Sequence, residues 1–94
     1  MIYQSKFAEK SIRKIATFIT NQGNPENAIR YILRLQDFIN SIAIYPEKIG
    51  LCNQISFSNR NFHCAIFDKT YIVVFKIKMK DIYIYNIIHG SRIK

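Results

Sequence analysis

Two histidines, His63 and His89, are the side chains of this sequence whose ordinary pKa lies nearest neutrality, and so the ones suited to give and take protons. Arg60 precedes the first of them and Arg92 follows the second. An arginine meets carboxylate or phosphate through a planar, two-pronged fork. Lys76 adds a third cation, and Tyr83 and Tyr85 offer ring faces on which bases stack. Gathered on one surface, these seven residues would make a phosphate-binding site with acid–base capacity. Kept apart, His63 reads as a strand residue on a solvent face and His89 as a turn residue before Gly90. Tyr83 and Tyr85 then read as core or edge packing. Cys52, His63, Cys64 and His89 lack the paired spacing of a zinc site, so neither a metal nor another cofactor is expected.

Fourteen Lys and Arg face six Asp and Glu, a net charge of +8 in 94 residues. Such a field favours anionic partners, whether nucleic acid or an acidic protein segment. The length suits one domain, residues 1–94, with one modest core. No apolar run approaches the roughly 18–20 residues that a membrane-spanning helix needs, so no membrane partner is expected. The start, Met-Ile-Tyr-Gln-Ser-Lys, lacks the apolar centre of a signal peptide. The expected compartment is therefore the cytoplasm, where Cys52 and Cys64 read as free thiols.

Several elements must position the charged residues. Tyr71 to Lys78 and Ile82 to Ile88 are built from the β-branched and aromatic residues of half-buried strands. Strict alternation places Tyr71, Val73, Phe75 and Ile77 on one face of the first, and Ile82, Ile84, Asn86 and Ile88 on one face of the second. A hairpin this apolar needs cover. Upstream, Ser5 caps a first helix whose stripe is Ala8, Ile12, Ile15, Ala16 and Ile19, ending near Asn21 before Gly23. Asn24-Pro25-Glu26 opens a second, with a stripe of Ala28, Ile32, Leu35, Ile39 and Ile42, stopped by Pro46. Residues 47–59 read as a connecting loop, pinned by Ile49, Leu51, Ile55 and Phe57, and residues 60–67 as another strand. Residues 2–4 form a short strand that joins the same sheet. The expected fold is α+β: an N-terminal strand and an antiparallel helical hairpin packed on an antiparallel sheet of three to four strands, in the order β-α-α-β-β-β, with the opposite face or an edge exposed.

The block Tyr71-Ile-Val-Val-Phe75, the run Asp81-Ile-Tyr-Ile84 and the ending Ile88-His-Gly-Ser-Arg92 resemble the RelE/ParE superfamily of toxins from bacterial type II toxin–antitoxin operons, and the resemblance runs over the full length. It implies a toxin neutralised by a cognate antitoxin in a hetero-oligomer, and with it a part in plasmid stabilisation. RelE-like members enter the ribosome and cut mRNA, whereas ParE-like members inhibit DNA gyrase without being nucleases. RelE-like enzymes place an arginine directly after the aromatic residue that opens the third strand; here that residue is Ile72. They often carry a Tyr or His near the end of the chain, and no tyrosine follows Arg92 here. The His-Gly-Ser-Arg ending looks ParE-like, although Ile93 stands where an acidic residue often follows.

The resemblance therefore favours a gyrase-binding toxin, with Arg60, Lys76, Tyr83, Tyr85 and Arg92 contacting target or antitoxin. The alternatives are a ribosome-dependent mRNA endonuclease, with His63 and His89 catalytic, and a non-toxic basic module that binds nucleic acid. The discriminating geometry is whether either histidine sits beside Arg60 or Arg92 in a concave site.

Overall fold

Val73, Val74 and Phe75 are consecutive residues with no exposed surface, so the strand that carries them is buried on both faces. The computed structural model describes residues 1–44, 46–52 and 59–90. The elements run β1 (Ile2–Gln4), α1 (Lys6–Asn21), α2 (Pro25–Ile42), a 3₁₀ turn (Pro46–Lys48), β2 (His63–Phe67), β3 (Tyr71–Lys78) and β4 (Asp81–His89). They form one four-stranded sheet in the order β1-β4-β3-β2, with the helical hairpin on one face.

The helix boundaries follow from local chemistry. Ser5 Oγ accepts the Ala8 N–H at 3.0 Å and donates to the carbonyl of Tyr85, fastening the start of α1 to β4. Asn24 Oδ1 accepts the N–H groups of Glu26 and Asn27, and Pro25 occupies the first turn of α2, where a missing N–H costs nothing. Gly23 links the helices with φ of 105°, a conformation that penalises any side chain. The apolar stripes of both helices meet β3 and β4 in the main core, centred on Leu35, Ile39, Phe75, Ile82 and Ile84.

Three features differ from the sequence reading. The sheet is antiparallel through β2, β3 and β4 but mixed overall, because β1 pairs parallel with β4. A parallel pair needs a crossover, and everything between β1 and β4 supplies it. Alternation also fails in β4: Val74 pairs with Asn86 and Phe75 with Ile84, leaving Tyr85 as an extra, bulged residue. Downstream of the bulge the faces exchange, so Ile87 joins Ile82 and Ile84 in the main core while Ile88 turns to the opposite side. Asn86 sits on the helical side, bonded to Ser11 of α1 at 2.6 Å.

The third difference is the cysteines. Cys52 and Cys64 are joined by a disulfide with Cα atoms 4.8 Å apart, not free thiols. The Cys52 N–H donates to the Phe62 carbonyl at 3.0 Å, and Leu51 bridges to His63, so this short segment runs antiparallel beside the start of β2. Cys52, Phe62 and Val74 form a second buried cluster on the face of the sheet expected to be bare. Ile49 packs on the main core as expected, whereas Ile55 and Phe57 lie outside the described residues.

The tight turn between β2 and β3 has Asp68 and Lys69 at positive φ, as a type I′ hairpin requires, and closes with Thr70 N–H on the Phe67 carbonyl at 3.0 Å. Two substitutions test this account by urea denaturation. Phe75→Ala, which empties a fully buried site in the main core, should lower stability by about 3–5 kcal/mol. Asn24→Ala should cost about 1 kcal/mol by removing the cap.

Candidate functional site

β3 and β4 are adjacent, and Lys76 pairs with Tyr83 across them, so these two side chains emerge together on the face away from the helices. Tyr85, two residues on from Tyr83, faces the same way. Phe62, just ahead of β2, completes a platform: its ring centre lies 4.8 Å from that of Tyr85. Arg60 stands over this platform, its guanidinium 5.0 Å from the Phe62 ring and 5.8 Å from the Tyr85 ring. Lys76 Nζ approaches the Phe62 ring to 4.7 Å. Tyr83 stacks on Tyr3 of β1 at 5.0 Å, and Phe7 of α1 leans on Tyr85 at 6.0 Å. Together these groups line a hollow of about 340 Å³ between Tyr3, Arg60, Lys76 and Tyr85.

Four of the five expected binding residues, Arg60, Lys76, Tyr83 and Tyr85, are thus brought together; Arg92 lies outside the described residues. Neither Arg60 nor Lys76 forms a salt bridge among the described residues. Their charges are held over ring faces, an attraction of about 0.5–1 kcal/mol each at exposed sites. Sequence reasoning missed Tyr3 and Phe62 as parts of this surface. Tyr3 could have been found from its place on a strand joining the sheet, and Phe62 from its nearness to Arg60.

The histidines lie elsewhere. His63 is half-buried on the helical side, not on a solvent face, because its ring stacks on Phe75 at 5.3 Å and Nδ1 meets the Ile49 carbonyl at 2.7 Å. His89 sits at the far end of β4, edge-on to Tyr71 at 5.4 Å. It borders a different hollow, of about 470 Å³, with Ser11, Lys14 and Phe18 of α1. Since His63 pairs its strand position with Phe75 and His89 with Tyr71, they are four β3 residues apart, roughly 13 Å, and flank opposite edges of that strand. The hollow that holds Arg60 has no histidine in its lining, and the one that His89 borders has no Arg60. Ile72, at the position of the RelE-type arginine, packs against the cluster of Cys52, Phe62 and Val74. Among the described residues no group of three His, Cys, Asp or Glu is placed to hold a metal ion, and no helix is long and apolar enough to cross a membrane.

The family of the ParE toxin of the type II toxin–antitoxin system, parDE, matches residues 2–94. The chain belongs to the ParE toxin family. A solved structure described as the chromosomal ParDE TA system from P. aeruginosa has the same fold, with a TM-score of 0.80 over 94% of this chain and 92% of that one. Identity between the two is 13%, a level at which the likeness speaks for the fold. Among curated proteins none matches significantly.

One titration is displaced. Burial, then the charge of Asp68 and a hydrogen bond to it, push the Tyr31 phenol up to about 12 from its ordinary 10.0, while Arg34, 3.7 Å from Asp68, pulls the other way. The folded phenol holds its proton more tightly than the unfolded one. Its contribution to stability is therefore complete below pH 10 and is lost as pH rises towards 12. Phenolate absorbance, measured against Tyr31→Phe, should show one tyrosine titrating late. Asp68→Asn should bring that titration down part of the way, since burial remains.

Proposed function

We propose that this ParE-family chain arrests growth by binding DNA gyrase, without covalent chemistry of its own, and that a cognate antitoxin neutralises it. The observation that carries this reading is Ile72. The position at which RelE-like ribonucleases carry an arginine is filled by an aliphatic side chain packed under Phe62, able neither to donate a hydrogen bond nor to balance phosphate charge. The separation of both histidines from Arg60 points the same way. A ribonuclease needs a proton acceptor, a proton donor and a cation converging on one phosphate. The cations and rings of the outer face instead make a surface for docking, in which Arg60 and Lys76 meet carboxylates or phosphates and Tyr83 and Tyr85 supply contact area.

An antitoxin partner is supported by the family itself and by the P. aeruginosa structure, which is described as a ParDE toxin–antitoxin system. The +8 charge would draw in an acidic antitoxin segment and speed its capture.

Controlled expression in bacteria without an antitoxin tests this, with total mRNA and the DNA-damage response followed in the same cells. Growth arrest with intact mRNA and an induced damage response is expected, together with inhibition of purified gyrase in a supercoiling assay. Arg60→Ala with Lys76→Ala should weaken that inhibition at least tenfold without moving the thermal midpoint, and His89→Ala should leave it unchanged. Rapid cleavage of translated mRNA would replace this reading with the endonuclease. Unimpeded growth would leave a nucleic-acid-binding module.

A further inference from the structure

The two cations of the outer face rest on Phe62, and Phe62 rests on a disulfide. Arg60 and Lys76 both lie over its ring, and its carbonyl accepts the N–H of Cys52, which is bonded in turn to Cys64 of β2. Among the described residues the apolar cluster beneath them has three buried members, Cys52, Phe62 and Val74, with Ile72, Tyr85 and Ile88 packed against it. The disulfide and the Cys52–Phe62 backbone bond hold the Cys52 segment beside β2. Cys52 is 4% exposed, while Cys64 is half-buried and the more open to attack.

We propose that Cys52–Cys64 is a thiol–disulfide switch that sets the order of the Arg60, Phe62, Lys76 and Tyr85 surface, the oxidised protein being the form that binds its target well. The effect on binding rests on the reading of that surface given above. In the reducing direction, one thiolate of a small vicinal dithiol attacks the Cys64 sulfur and the S–S bond breaks. Cys52 leaves as thiolate and takes a proton. The second thiol of the reductant then displaces Cys64, so the reductant ends as a disulfide, and two electrons and two protons reside on the cysteines. Once cut, the link no longer keeps Cys52 against β2, and Phe62 loses the backbone partner that steadies it under the two cations. Oxidation by an ordinary disulfide reverses each step.

The test uses the full chain, air-oxidised or reduced with dithiothreitol, beside the double variant Cys52→Ala, Cys64→Ala. Amide hydrogen exchange by nuclear magnetic resonance reads the segment, with the amides of β3 as control, and gyrase supercoiling reads the binding. Reduction should speed exchange of the Cys52 amide at least tenfold, leave β3 unchanged and weaken inhibition at least tenfold. The double variant should behave as the reduced form under both conditions. Two free thiols by mass in the air-oxidised protein would overturn the switch. So would a Cys52 amide equally protected in both forms, or equal inhibition by both forms. If neither form inhibits gyrase, the functional reading has failed instead, and the exchange result alone decides whether the bond orders the surface.

Discussion

β3 is buried on both faces through Val73, Val74 and Phe75, and a strand of that kind needs cover from two directions. The helical hairpin meets the demand on one side with the stripes of α1 and α2, a thick layer rich in Ile and Leu. On the other side no such helix lies among the described residues, and the chain relies on other cover. It supplies a thin layer made of Cys52 and Phe62, sewn down by the disulfide and edged by Ile72, Tyr85 and Ile88. The asymmetry sets the candidate surface apart from the part of the molecule that holds the fold together. Substitutions in the thick layer strike the fold, while the polar tips above the thin layer change with little effect on the core.

The bulge at Tyr85 links the two layers. Without it, Ile88 would follow Ile84 into the helical core and Ile87 would face outward. With it, Ile87 completes the core and Ile88 turns to the side on which Tyr85 joins Phe62 under Arg60. Ser5 fixes the bulged carbonyl of Tyr85 while capping α1, so the helix that covers one face also sets the irregularity that shapes the other. Asn86, bonded to Ser11, gives the turned strand a polar anchor against the same helix. Bulges are found where a strand must re-aim a side chain, and here the re-aimed side chains are Ile87, sent to the core, and Ile88, sent to the outer cluster.

Much of this was legible in the residues. Ser5 and Asn24-Pro25 marked both helix starts, since capping is local chemistry that tertiary packing rarely overrides. The period of each stripe named the buried side, and the order of elements followed from short connections. The bulge was not legible, because an alternating pattern projects period two through any strand and Ile-Tyr-Ile-Tyr-Asn-Ile-Ile contains no glycine to mark a break. The disulfide was hidden for another reason: two cysteines twelve residues apart carry no pairing information until a strand and a loop segment are known to be adjacent. Of the candidate site, Arg60, Lys76, Tyr83 and Tyr85 were found from type and position, yet their assembly depended on Phe62 and Tyr3, whose apolar and edge positions looked merely structural.

The energetics of the surface suit the capture of an anion. Holding a cation over a ring at an exposed site is worth about 0.5–1 kcal/mol, whereas a hydrogen bond to a charged partner contributes about 1.5–3 kcal/mol. An arriving carboxylate or phosphate can therefore draw Arg60 or Lys76 towards itself at small cost, and the vacated ring remains to stack or to bury apolar area. Before that, the rings keep both charges extended over the hollow, away from the acidic side chains of the same molecule. A surface of this kind discriminates by charge and shape, and it gains affinity as each cation finds a partner. Bond-making would require a proton carrier fixed beside those cations. The side chains best suited to that work, His63 and His89, are committed to Phe75 with the Ile49 carbonyl and to Tyr71 on the helical side of the sheet.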